Sequence, residues 1–338
     1  MGLGSRLRDY LQLFRAHTAP ASVLTLVVPY LIAGGGNPVL VGLFFLLGHL
    51  MHFFSFGHNS LMDYWVDIRD PNKRHHPLVA GRIRLEDAAR VVLYGQVLTA
   101  TAMALVILAF SENPALSLLF FLLYFAWGHA YNDGLDHRDE HSWLSISLCL
   151  ASATLISYTF TRGLDRVAAL LFAWGLLFEL YDIGLLGNAK DIWNPAEEKN
   201  PLRRWAVYDE SGEFRGLRVT TGWIALLTFF WAVRLVASTA VVALVALAVN
   251  APPENTALLY LFTAVEALAV TLTVIELATP RPRRERLLPL FGLSESAEFF
   301  RLASLAPMPW SLLLVAYSLT YFVGMNKWLW GTRLGPRV

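Results

Sequence analysis

Long apolar runs separated by short polar links recur along the chain from residue 20 to residue 325. A bilayer-spanning helix needs roughly 17–25 predominantly apolar residues. Nine stretches approach that requirement: 20–34, 39–58, 88–110, 115–131, 143–161, 166–187, 220–248, 256–277 and 307–325. The first and fourth are short for the purpose. No series of strictly alternating segments with turn signals is present, so the β-barrel pattern is lacking. The pattern predicts an all-α fold, a polytopic membrane protein of nine transmembrane helices, as one domain over 1–338.

The residues outside those runs set an orientation. Ahead of the first run the chain reads GLGSRLRDYLQLFRAH, basic and amphipathic, which predicts an interfacial helix within 1–18 and no cleavable leader. With the N-terminus inside, 20 of the 27 Lys and Arg residues fall on the inner side and 5 on the outer side, with Arg90 and Arg234 inside spans. That bias supports nine spans and a cytoplasmic N-terminus. The outer links, 34–38, 111–114 and 250–255, are short.

Composition sharpens the class. The chain is 56% hydrophobic and 16% charged, with a mean hydropathy of +0.48. A soluble average carries about a quarter charged residues. A net charge of +1 gives no reason to expect a nucleic-acid partner. The single Cys149 lies in an apolar run and excludes an intrachain disulfide or a multi-thiolate metal site.

The chemistry concentrates where apolar runs end on the inner side. The second run ends in HNSLMDYWVDIRDPNKRHHPLVAGRI, residues 58–83. Asn59, Asp63 and Asp67 are four apart, so on a helix their side chains form one stripe. Ionisable groups at the mouth of a membrane segment usually pair with something or coordinate it. Two carboxylates and an amide are hard oxygen donors that suit Mg²⁺, which binds through one or two carboxylates plus substrate phosphates. The rival reading is a helix end whose acids face water. Pro71 is expected to stop the helix. Lys73, Arg74, His75 and His76 then stand beside the acids, a pairing that a metal-bound diphosphate requires. For the adjacent histidines, a loop role or hydrogen bonding to phosphate is favoured over metal ligation.

The other polar stretches carry weaker signals. Arg15 before the first run either snorkels to headgroups or reaches an anionic substrate, and the first is the commoner case. The fourth run leads through Asp133 and Asp136 to Arg138 in a turn-rich segment. The sixth ends in Glu179 and Asp182, followed by Lys190, Asp191, Asn194, Glu197 and Glu198, an acidic helix end like the second run's. The recurrence predicts two acidic clusters meeting on one membrane face. Residues 59–84 and 188–219 are read as cytoplasmic acidic-motif loops, with 199–219 as a lid, Arg281–Arg286 as a lipid contact, and 287–307 as an amphipathic link.

These residues resemble the UbiA superfamily of intramembrane prenyltransferases. Asn59-x3-Asp63-x3-Asp67 with Pro77-Leu78-x2-Gly81-Arg82-Ile83 is similar to that family's NDxxDxxxD and RPLPSGRI signature, and Lys190-Asp191-x2-Asn194 with Glu198 is similar to KDxxDxxxD. The resemblance implies a bundle around a central cavity, in which a polyprenyl diphosphate binds with Mg²⁺ and a lipophilic acceptor attacks the allylic carbon. It implies Asn59, Asp63, Asp67, Asp191, Asn194 and Glu198 as metal ligands, with Asp63, Asp67 and Asp191 central to catalysis. It implies Asn59, Lys73, Arg74, Lys190, Arg138 and Arg15 as diphosphate contacts. Membrane lipids are the remaining expected partner. The chain departs from the family at Ser60, His76, Asn194 and Glu198, and in lacking a Lys after the fourth run. Two rivals are a terpenoid cyclase on the same fold and a secondary transporter. The transporter would place its acids near the bilayer midplane in broken helices, whereas these lie at helix ends.

Overall fold

The computed structural model describes residues 3–70, 73–135, 142–194 and 200–333. Helix dominates. In chain order the helices are α1 Leu3–Leu13, α2 Ala19–Ile32, α3 Pro38–Met62, α4 Tyr64–Asp67, α5 Leu85–Phe110, α6 Pro114–His129, α7 Ser142–Tyr158, α8 Arg166–Tyr181, α9 Asn188–Asp191, α10 Thr221–Ala232, α11 Ser238–Ala248, α12 Thr256–Leu277, α13 Arg284–Ala303 and α14 Trp310–Trp330. Among the described residues, six segments are long and apolar enough to cross a membrane: 38–62, 85–110, 114–133, 166–191, 221–248 and 253–277. The stretches at 16–32 and 143–158 form shorter apolar helices. Among the described residues, the structure departs from an all-α reading at one place. Residues 206–208 (β1) and 214–217 (β2) pair as an antiparallel hairpin inside the expected lid.

The local reasons are ordinary. Pro38 occupies the first turn of α3, and the Asn37 side chain accepts from the Val39 N–H at 2.9 Å. Asp165 caps α8 by accepting from the N–H groups of Val167 and Ala168. Among the described residues, π-helical segments Asp182–Gly187 and Val233–Ala237 interrupt otherwise apolar helices, and a third, Ala130–Leu135, follows α6.

The chain divides into two compact units. The first holds residues 1–122, 156–163 and 312–338. There α2 and α3 approach closely at Gly48, where an added Cβ would stand 2.8 Å from the Val23 Cα. On α5 the buried face is Ala88, Val92, Gly95, Thr99, Met103 and Ile107, spaced three or four apart. The opposite face exposes Leu98, Leu105 and Leu108, as a helix in lipid does. The expected interfacial helix α1 is tied into this unit. Leu13 and Phe14 pack with Leu78, Ile83, Ala88 and Val92, and Arg8 and Gln12 donate to the Leu329 carbonyl.

The second unit holds 123–155 and 164–311. Its apolar core gathers Tyr181, Leu185, Leu186, Trp223, Leu227, Val270 and Leu287 from α8, the following π segment, α10, α12 and α13. The expected link 287–307 is mostly the 20-residue helix α13, packed along α12.

Candidate functional site

In the first unit the acidic stripe forms at the foot of α3. Asn59 is in its last turn, Asp63 is the residue joining α3 to α4, and Asp67 ends α4. The Asp63 N–H bonds the Asn59 carbonyl at 2.9 Å and the Asp67 N–H bonds the Asp63 carbonyl at 2.8 Å. Helical spacing therefore holds through the junction and keeps the three side chains on one stripe.

Cations reach this stripe from both directions. The Lys73 Nζ stands 3.1 Å from Asp67 Oδ1, and the Arg15 Nη2 donates to Asn59 Oδ1 at 3.3 Å. Arg15 adopts a left-handed backbone, φ 47° and ψ 41°, which costs a non-glycine residue of order 1 kcal/mol. Its surroundings hold it there. The Arg15 carbonyl accepts from the Thr18 N–H at 2.9 Å and the Thr18 hydroxyl at 2.8 Å, and His52 Nε2 lies 3.2 Å from it. The guanidinium consequently stands over the Phe56 ring, 5.2 Å from its centroid. A strained residue fixed from several sides, with its charge delivered to an acidic stripe, is a feature of binding sites more than of solvated turns.

Asp67 is buried. Burial pushes its carboxyl above the ordinary range, the Lys73 and Arg15 charges pull it back, and Asp63 pushes it up further. His76 is the least satisfied group here. It is 8% exposed, and both ring nitrogens are buried without a partner among the described residues. Each such group costs about 1–3 kcal/mol. Burial, then the charges of Lys73, Arg15 and His75, push its imidazole down to about 3, while Asp63 acts in the other direction. The unfolded chain takes up this proton near pH 6.5 and the folded chain resists it, so stability is lost as pH falls below 6.5. The loss from this one group has a slope of up to about 1.4 kcal/mol per pH unit. In His76→Phe the melting temperature is therefore expected to fall less steeply than in the wild type between about pH 6.5 and 4. Parallel melting curves would refute a His76 held neutral.

Other parts of the motif are structural. Arg82 donates to Asp9 at 2.7 Å, to Gln12 at 2.8 Å and to the His75 carbonyl at 3.0 Å, clamping α1 onto the loop. Gly81 takes φ +66° and closes a turn begun at His76 and Pro77. Arg74 is exposed. α4 ends before Pro71, which lies outside the described residues.

In the second unit, Asp191 ends α9, and the buried Asn194 donates its N–H to the Asp191 carbonyl at 2.9 Å. Glu198 and Arg138 lie outside the described residues. The nine-residue offset from Asp182 to Asp191 does not follow 3.6-residue periodicity, because the π segment 182–187 resets the register. The Lys190 charge acts on Glu179, Asp182 and Glu295, and Asp182 hydrogen-bonds to Glu295. Lys190 is thus placed among carboxyl groups of its own unit. Sequence reasoning missed Glu295, because α13 read as a link.

It also missed a buried charge network. Arg234, Glu266, Glu298 and Arg301 are each at most 1% exposed. Arg234 Nε lies 2.9 Å from Glu266 Oε1, and Arg301 Nη2 lies 2.7 Å from Glu266 Oε2 and pairs with Glu298. Ser238 donates to Glu298 at 2.7 Å, and Arg301 Nη1 donates to Thr239 at 2.9 Å. The available signal was Arg234 and Glu266 inside apolar spans.

The first-unit site fits a divalent cation by its donor set: one amide and two carboxylates on a single stripe, with cations placed for a bound anion. Known structures share the fold. The chain aligns with a digeranylgeranylglyceryl phosphate synthase at TM-score 0.58 and 14% identity, covering 92% of this chain and 99% of that one. It aligns with a UbiA homologue from Archaeoglobus fulgidus bound to GPP and Mg²⁺ at 0.51 and 15%, covering 91% and 99%. An apo UbiA homologue from Aeropyrum pernix K1 aligns at 0.57 and 15%, covering 89% and 96%. No curated protein sequence matches the chain. A family model described as UbiA prenyltransferase family matches residues 21–286. Six membrane-length apolar helices and that match over most of the sequence make this chain an integral membrane protein of the UbiA prenyltransferase family.

Proposed function

We propose that this chain transfers a prenyl group from an isoprenyl diphosphate to a lipophilic acceptor within the membrane, with Mg²⁺ as cofactor. The observation that carries the reading is the gathering of Arg15, Asn59, Asp63, Asp67 and Lys73 in one unit at the foot of a membrane-length helix. Asn59, Asp63 and Asp67 hold the metal through oxygen. The metal, when bound, supplies positive charge to the departing diphosphate. Lys73 and Arg15 take phosphate oxygens. Because negative charge grows on the leaving group as the allylic C–O bond breaks, fixed cations there favour the transition state over the ground state. Arg15 is pre-set for this by its locked carbonyl, so little ordering remains when the substrate arrives.

Asp191, Asn194 and Glu198 are proposed as further metal ligands, and Lys190, Arg74 and Arg138 as further diphosphate contacts. The acceptor class that fits is an aromatic or quinone precursor or a prenylated glycerol phosphate. The reading includes nine spans with a cytoplasmic N-terminus. Beside the six longer helices, that reading takes the shorter apolar helices at 16–32 and 143–158 and the helix α14 as its remaining spans.

The test is direct. Purified protein in lipid discs is incubated with Mg²⁺, labelled geranylgeranyl diphosphate and a panel of acceptors. Prenylated product and released diphosphate, both lost with chelator, are expected. Product formed with no acceptor present would move the reading to a cyclase. Unreacted donor with every acceptor, together with no metal-dependent binding of diphosphate, would defeat it.

A further inference from the structure

We infer that His76 is a diphosphate-contacting residue, its ring N–H donating to a phosphate oxygen held between Arg15 and Lys73. The inference rests on reading the first-unit acidic stripe as the diphosphate site. Among the described residues, His76 is the one histidine whose two ring nitrogens are both buried and unpartnered. The contrast with His52 in the same unit is informative. His52 is 2% exposed, yet its nitrogens lie at 3.0 Å from the Ser22 hydroxyl and at 3.2 Å from the Thr18 hydroxyl and the Arg15 carbonyl. Packing alone therefore does not prevent a buried imidazole from being satisfied in this unit.

A buried polar group without a partner calls for an explanation. The neighbours of His76 supply one. The charges acting on it are Lys73, Arg15, His75 and Asp63, of which Lys73, Arg15 and Asp63 belong to the proposed site. Its backbone is fixed, with the His76 N–H donating to the Lys73 carbonyl at 2.8 Å and its own carbonyl accepting from Ala80 at 2.8 Å. The ring is thus held among cations that attract an anion, with a donor that no described residue accepts from. A phosphate oxygen is a strong acceptor for such an N–H. A neutral imidazole, unlike a guanidinium, adds this contact without adding another charge to Arg15 and Lys73.

The experiment is calorimetric titration of inorganic diphosphate in the presence of Mg²⁺, beside thermal melting without ligand. The full-length protein is used as wild type, His76→Phe and His76→Ala. His76→Phe removes both nitrogens and keeps the ring. It is expected to bind diphosphate about 10- to 100-fold more weakly while melting at a higher temperature in the absence of ligand. His76→Ala is expected to bind weakly and to regain affinity with added imidazole, which keeps the test decisive if His76→Phe does not fold. Wild-type affinity in either variant, or a loss in His76→Ala that imidazole does not restore, would overturn the role of His76 alone. A wild type that does not bind diphosphate would overturn the site reading as well.

Discussion

Asp63→Ala is expected to lose prenyl transfer by about 10²–10³-fold or more in kcat/KM while the protein continues to fold. The scale follows from what one fixed electrostatic group contributes at a developing charge, and disturbing even the groups that support metal ligands costs about 10–100-fold. Folding is expected to persist because Asp63 is half-buried at the junction of α3 and α4. The helical spacing there is made by backbone bonds, Asp63 N–H to the Asn59 carbonyl and Asp67 N–H to the Asp63 carbonyl, which alanine preserves. Asp67→Ala is a less clean probe. Asp67 is buried and paired with Lys73, so its removal strands a cation and mixes stability with function. Melting temperature, metal-dependent diphosphate titration and turnover measured together on Asp63→Ala decide the matter. Near-normal turnover with a normal melt would remove Asp63 from the metal site.

That stripe was legible in the sequence because four-residue spacing maps onto a helix face whatever the tertiary setting. The helix break at Asp63 did not spoil the inference, since the i to i−4 bonds continue across it. The position of Arg15 was not legible. It depends on a left-handed residue and a single 3₁₀ turn, Ala16–Thr18, that no hydropathy pattern encodes. Nor did the signature reveal that Arg82 clamps α1 through Asp9 and Gln12 rather than serving the acids. Counting apolar runs found the six long helices but was generous at 20–34 and 143–161, where the regular helices are Ala19–Ile32 and Ser142–Tyr158. The same counting misjudged 287–307. A hydropathy window scores Glu298 and Arg301 as surface residues, whereas each cancels the other's charge inside the unit and allows α13 to be buried. The π segment 182–187 defeated the register argument for Asp182 because periodicity assumes an uninterrupted helix.

The pairing inside the second unit carries the other large expected effect. Glu298→Ala is expected to destabilise the protein by about 3–5 kcal/mol, because it leaves Arg301 with an uncompensated charge in a buried setting. The geometry makes the residue hard to replace. Glu298 pairs with Arg301, accepts from the Ser238 hydroxyl and accepts from the Trp174 indole N–H, so one carboxylate ties α13 to α11 and α8. Glu266 on α12 in turn bridges Arg301 and Arg234. Four charges of two signs sum to zero, so any single removal creates a net buried charge while removal of a matched pair does not. The double variant Glu298→Leu, Arg301→Leu is accordingly expected to be less destabilised than the sum of the two single variants, with a coupling of about 1–3 kcal/mol. Thermal melts of the two singles and the double in lipid discs measure that coupling directly. Additive losses would mean that each side chain acts through its own packing and that the charges are not balanced against one another. A double variant that melts at or above the wild type would show that the network costs stability, leaving the mutual placement of α8, α11, α12 and α13 as the reason to keep it.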